Sequence, residues 1–174
     1  MATLFARLLG DRFDRLPPRV RALHARETTH TYAGRADVDR GSGVLARLMG
    51  AATRLPARKS DQELGVTIEP TPTAERWIRT FADHAMPSRL WDARGLLCER
   101  LGLATFGFRL DVHDGELTWR VERVHALGIP LPASLFRGVV AREFEREGRY
   151  RFDVRAELPI VGLLVHYRGW LDVE

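Results

Sequence analysis

The chain has 174 residues, 45% hydrophobic and 29% charged, which is enough to bury a core and too apolar for a disordered polymer. Its single cysteine, Cys98, excludes an internal disulfide and every multi-cysteine zinc pattern. A formal charge of +4 arises from 26 arginines and one lysine set against 23 acids, and the two signs alternate along the chain, as in Asp11-Arg12-Phe13-Asp14-Arg15. Alternation of this kind makes a solvated mixed surface, so nucleic acid is not an expected partner. No apolar run approaches the roughly 18 residues of a membrane span, and no signal-peptide core is read at the start. The expectation is one domain over residues 1–174 of a soluble, cytoplasmic protein.

Residues 3–16 place Leu4, Leu8 and Leu9 on one helical face with Phe5 alongside. Pro17-Pro18 stops that helix and can open a second one through Val20 and Leu23. Packing on the chain's own domain is expected of these helices, ahead of lying on a membrane. Tyr32, Gly34, Ala36 and Val38 alternate as a strand over 30–39. Gly41-Ser42-Gly43 follows and leads into a helix near 42–54, with Leu45, Leu48 and Met49 near one face. Residues 54–64 read as a polar loop and 65–70 as a strand. Residues 74–81 fit strand or helix and are read as a strand, because a hairpin partner precedes them across Pro70-Thr71-Pro72-Thr73.

Asp114-Gly115 between alternating runs is a type I′ hairpin signal, and a two-residue loop fixes the register. His113 then meets Glu116, Leu110 meets Trp119 and Phe108 meets Val121, leaving Arg109, Arg120 and Asp111 on the wet face. Carried further, the register puts Arg123 on the apolar face opposite Phe106. For the hairpin over 139–158, a three-residue loop Arg146-Glu147-Gly148 pairs Phe144 with Tyr150 and Val140 with Val154. That choice sets Arg142 on an apolar face opposite Phe152. Val161, Leu163, Val165, Tyr167 and Leu171 share one parity of a last strand, with His166 and Arg168 on the other. Short hairpins of this kind argue against a parallel sheet. The fold class expected is α+β: a curved, mainly antiparallel sheet or incomplete barrel of about 7–9 strands, covered by the N-terminal helices and the helix near 42–54.

LFARLLGDRFDRLPPRVRALH, GRADVDRGSGVLARLMG, ERWIRTF, LGIPLPASL and RFDVRAELPIVGLLVHYRGWL occur in that order, and together they resemble the bacterial domain of unknown function 4166 family. The terminal PIVGLLVHYRGWL is the most specific stretch. In that family the domain often stands alone or follows an oxidoreductase domain resembling saccharopine dehydrogenase. The resemblance therefore implies a redox or accessory context, and it supplies neither a reaction nor catalytic residues.

Gly41-Ser42-Gly43-Val44-Leu45-Ala46 satisfies a loose dinucleotide-binding pattern, but such a site also needs a parallel neighbouring strand. A turn with free amides is the better account, with Ser42 and Gly43 as an anion contact and no cofactor. Six histidines lack metal spacing, so no metal is expected, and four serines lack a nucleophile elbow. Cys98 reads as a small buried side chain, and Glu99 as a partner for an arginine. Inward Arg123 and Arg142 above Phe108, Trp119, Phe144 and Tyr150 would suit a lipid-like molecule with an acidic head. The leading function is therefore non-enzymatic binding of an apolar or amphipathic small molecule in a β-cup. The alternatives are an accessory domain docking on an oxidoreductase through Trp170, or a small enzyme using His166 or His125 with an acid such as Glu99.

Overall fold

A computed structural model describes residues 2–53 and 55–174. Helix α1 (Leu4–Leu9), a 3-10 segment (Gly10–Arg15) and α2 (Pro18–His24) precede β1 (His30–Arg40), and α3 (Val44–Ala52) separates β1 from β2 (Lys59–Pro70). There follow β3 (Ala74–Phe81), β4 (His84–Ala93), β5 (Leu96–Leu101), β6 (Ala104–His113), β7 (Glu116–Ala126) and the short β8 (Ile129–Leu131). A 3-10 turn (Ala133–Phe136) leads to β9 (Gly138–Arg146), β10 (Arg149–Leu158) and β11 (Gly162–Leu171).

Neighbouring strands are antiparallel throughout, and the sheet has no open side. β1 lies between β2 and β11, while β7 pairs with both β6 and β9 and closes a ten-strand barrel, with β8 appended to β7. The α+β class and the antiparallel pairing stand, but the expected incomplete barrel is corrected to a closed one. β4 is a strand the sequence reading did not assign, and it runs through Pro87 despite the missing backbone donor, while residues 59–64, expected as loop, lengthen β2. Closure then satisfies the ladder on both sides of every barrel strand, which removes the exposed edges of an open sheet. The first and last strands meet over two glycines. A Cβ on Gly34 would stand 1.9 Å from the Trp170 carbonyl oxygen, and one on Gly169 would stand 2.0 Å from that of Arg35, so neither position tolerates a side chain.

Arg94-Gly95, Asp114-Gly115, Leu127-Gly128 and Glu147-Gly148 each carry two consecutive positive φ values, the signature of the type I′ hairpin. In β6–β7 the expected register holds from His113–Glu116 to Phe108–Val121. A bulge then intervenes, pairing Gly107 with Arg123 and Phe106 with Val124. The extra residue flips the parity of β7, so Val124 turns inward and Arg123 stands exposed outside. In β9–β10 the loop has two residues, so Arg146 pairs with Arg149 and Phe144 with Arg151. This corrects the expected three-residue loop. The inward side of β9 is consequently Val139, Ala141 and Glu143, while Arg142 and Phe144 face out.

The N-terminal helices stopper one end of the barrel. Leu4, Phe5, Leu9, Val20 and Leu23 are buried there with Tyr32, Trp77 and Trp119, so this segment packs on the barrel as expected. Arg19 ties α2 to the strand ends, its backbone N–H donating to Glu145 Oε2 at 2.9 Å and its Nη1 to the Val173 carbonyl at 2.7 Å. At the opposite end, which we call the rim, α3 docks through Ala46 and Gly50. Leu45 and Leu48, expected near the core-facing side, stand exposed instead. Arg54, the last residue of the expected helix and the first of the expected loop, lies outside the described residues.

Gly115→Val is expected to destabilise the protein by about 1–3 kcal/mol, because a β-branched residue resists the φ of +77° that the turn requires. Gly115→Asn should lose far less, since Asn tolerates that region. Thermal unfolding of the two variants checks this, and equal melting temperatures would contradict it.

Candidate functional site

The barrel encloses a cavity of about 180 Å³ whose wall is predominantly apolar. Phe106, Phe108, Trp119, Phe152 and Trp77 supply aromatic surface, and Leu101, Ala104, Leu131 and Phe136 carry the wall toward the rim. Met49, Thr53 and Leu55 line it from α3 and the residues beyond, whereas no residue of α1 or α2 contributes. The cavity therefore reaches toward the rim and is backed by the helical stopper.

Alternation explains why the wall is apolar, and it isolates the exceptions. On β3 the inward parity is Glu75, Trp77, Arg79 and Phe81, on β5 it includes Glu99, and on β9 Glu143. Arg79 and Glu99 form an ion pair at 3.0 Å with side chains only 10% and 6% exposed. Arg79 Nη1 also donates to Ser88 Oγ at 2.9 Å, and the guanidinium lies 4.9 Å from the centroid of Trp77. Burial is the strongest single influence on Arg79 and works against its charge. Glu99, with the hydroxyl groups of Tyr167 and Tyr150, outweighs it and holds the guanidinium above its ordinary pKa.

A second polar group lies toward the stoppered end. His24 Nε2 and Glu143 Oε2 share a buried hydrogen bond of 2.7 Å, and the imidazole stacks on Phe5 with centroids 3.7 Å apart. Trp77 donates its indole N–H to Glu75 Oε2 at 2.8 Å, and burial pushes the Glu75 carboxyl upward. Burial, reinforced by the neighbouring Glu143 carboxylate, lifts the Tyr150 phenol well above 10.0, and burial lifts Tyr167 to about 12.

Two polar atoms in this wall lack hydrogen-bond partners among the described residues. The indole N–H of Trp119 is a buried donor with nothing to receive it. Glu99 Oε1 lies 3.0 Å from Arg79 Nη1 and is compensated by that ion pair, although outside strict hydrogen-bond geometry. Both residues line the cavity. A buried unpaired polar group costs about 1–3 kcal/mol, so a bound acceptor at the Trp119 indole would remove that cost.

Of the residues the sequence nominated, Phe108, Trp119 and Tyr150 line the cavity. Phe144 faces outward, and Arg123 and Arg142 are exposed, Arg142 lying 3.7 Å from Asp153. Ser42 and Gly43 are exposed at the start of α3, and among the described residues no strand pair is parallel as a dinucleotide site would need. Glu99 partners an arginine, as expected, and not a histidine. His166 instead meets Asp153 at 3.1 Å on the outer face of the barrel. Trp170 is covered by Arg149, 4.5 Å from its ring. Sequence reasoning missed Arg79, Glu143 and His24. Arg79 could have been found, since ERWIRTF alternates Glu75, Trp77, Arg79 and Phe81 on one side. Glu143 could not, because its facing depended on the loop length.

Over residues 16–171 the chain matches the model of Domain of unknown function (DUF4166), and it belongs to that family. No curated protein and no solved structure matches it.

Two outcomes follow from the interior chemistry. Arg79→Met should destabilise by about 3–5 kcal/mol, because it strands the buried Glu99 carboxylate, and the double change Arg79→Met with Glu99→Leu should restore most of that. Denaturant unfolding of both variants checks it. Separately, Tyr32, Tyr150 and Tyr167 all have phenol pKa values above 10.0, and they are the chain's three tyrosines. The folded protein keeps protons that the unfolded chain releases, so stability should be intact below pH 10 and fall as pH rises toward about 12. Ultraviolet titration of tyrosinate should show the folded protein lagging the urea-unfolded chain.

Proposed function

We propose that this member of the domain of unknown function 4166 family is one binding domain over residues 1–174. It holds an apolar molecule with a neutral, hydrogen-bonding head inside its barrel. The observation that carries the reading is the conjunction of an apolar cavity with a partnerless Trp119 donor in its wall. A hydroxyl suits that donor, since it accepts from the indole without bringing a charge into the apolar wall.

The inward charges favour a neutral head over an anionic one. Arg79 is already engaged by Glu99, and Glu143 adds a second inward carboxylate, so a ligand carboxylate would meet no free cation. The arginines that would have served an acidic head, Arg123 and Arg142, stand outside. The volume of about 180 Å³ is slightly above the roughly 150 Å³ of an engineered apolar cavity that takes up benzene, which sets the scale of the apolar body. Each methylene brought from water into such a wall contributes about 0.8 kcal/mol.

Calorimetric titration with 1-octanol, octanoate and octane tests the reading. The alcohol should bind about tenfold or more tighter than the carboxylate. Trp119→Phe should weaken the alcohol by about 1–3 kcal/mol while leaving octane unchanged. Absence of binding by all three, or an equal loss for alcohol and alkane, would overturn it.

A further inference from the structure

The exposed apolar side chains are distributed unevenly. Among the described residues, every large hydrophobic side chain that stands exposed belongs to the rim, and none to the barrel wall or the stoppered end. On α3, Val44, Leu45 and Leu48 point to solvent, Leu48 with 63% of its surface exposed. Leu103 follows β5, Leu127 tips the β7–β8 hairpin at 72% exposure, and Ile160 tips the β10–β11 connection at 89%. Hydrogen bonds join several of these tips into one surface, from Leu103 N–H to the Ala52 carbonyl at 3.4 Å and from Leu127 N–H to the Leu103 carbonyl at 3.0 Å. Leu127 bears a further cost, since its φ is +52°, a region that glycine or asparagine adopts more readily than leucine. A leucine kept there at both conformational and solvation cost is not explained by folding.

Two segments that contribute to this end carry basic residues without an acid of their own. From Arg40 to Ser60 the sequence contains Arg40, Arg47, Arg54, Arg58 and Lys59 and no acid, and from Arg123 to Arg142 it again has none. Both segments contribute to the rim. Arg47 stands exposed between Leu45 and Leu48 on α3. Leucines projecting on either side of an exposed arginine are the chemistry of a face that enters the boundary between headgroups and acyl chains of an anionic bilayer. The face also lies at the end of the barrel toward which the cavity reaches, beside Met49, Thr53 and Leu55.

We infer that the rim, from Val44 to Leu48 on α3 together with the turns bearing Leu103, Leu127 and Ile160, is a docking face for an anionic lipid surface. Apolar side chains insert among the acyl chains, and Arg47 meets the phosphates. This goes beyond ligand binding and stands without it, although an apolar molecule could then pass between bilayer and barrel without crossing water.

The test is co-sedimentation of the full chain with vesicles of phosphatidylcholine alone and of phosphatidylcholine mixed with phosphatidylglycerol. The wild type should bind the mixed vesicles and bind the neutral ones weakly. Leu45→Ser with Leu48→Ser should reduce binding about tenfold or more without lowering the melting temperature, because both side chains are already exposed. Arg47→Glu should reduce binding to the mixed vesicles only. Should the double variant fold poorly, Leu127→Asn carries the same test, since Asn suits the positive φ. Wild type that stays in the supernatant with mixed vesicles would overturn the inference, as would variants that sediment like it. So would a rim that proves in sedimentation velocity to bury itself in a dimer of the chain. Octanol titration reads the cavity separately, so failure at the vesicles leaves the ligand reading intact.

Discussion

Closing the sheet into a ring is the constraint on which the rest of the molecule depends. With every barrel strand paired on both sides, the side chains of each strand divide into one set facing water and another facing a dry interior. Gly34 and Gly169 let the first and last strands approach closely enough to complete the ring. Any larger side chain there would collide with a partner carbonyl.

A dry interior raises the stakes of every polar group placed in it. Arg79 and Glu99 are tolerable only as a pair, and His24 and Glu143 are joined in the same way. The phenols of Tyr150 and Tyr167 stay protonated into alkaline conditions because burial outweighs the attraction of the neighbouring Arg79 guanidinium. Against that background, the Trp119 indole N–H stands out as a buried donor without a partner among the described residues.

The two ends of the barrel are built for different purposes. One is filled by α1 and α2, which bury Leu4, Phe5, Leu9, Val20 and Leu23 and whose Arg19 reaches the strand ends. The other is covered by a helix that docks through alanine and glycine, so its leucines remain in solvent. Small residues on the docking side of α3 explain this inversion, since close backbone approach left no room for leucines between helix and barrel.

Sequence alone determined the elements whose pattern is local. The type I′ signal at Asp114-Gly115 fixed the β6–β7 pairing down to Phe108 and Val121, because turn geometry and period-2 alternation act over a few residues. The same locality made the N-terminal helices, β1, β3 and the buried Cys98 legible. Tertiary structure decided the rest. The bulge beside Gly107 turned Arg123 outward, and a one-residue difference in loop length exchanged Arg142 for Glu143 on the inside of β9. Both decisions are set by neighbouring strands that a linear pattern does not contain, and because the side-chain period is two, each inverted a whole face. Which arginine lies inside, and hence the polarity of the site, was therefore settled by the closed barrel.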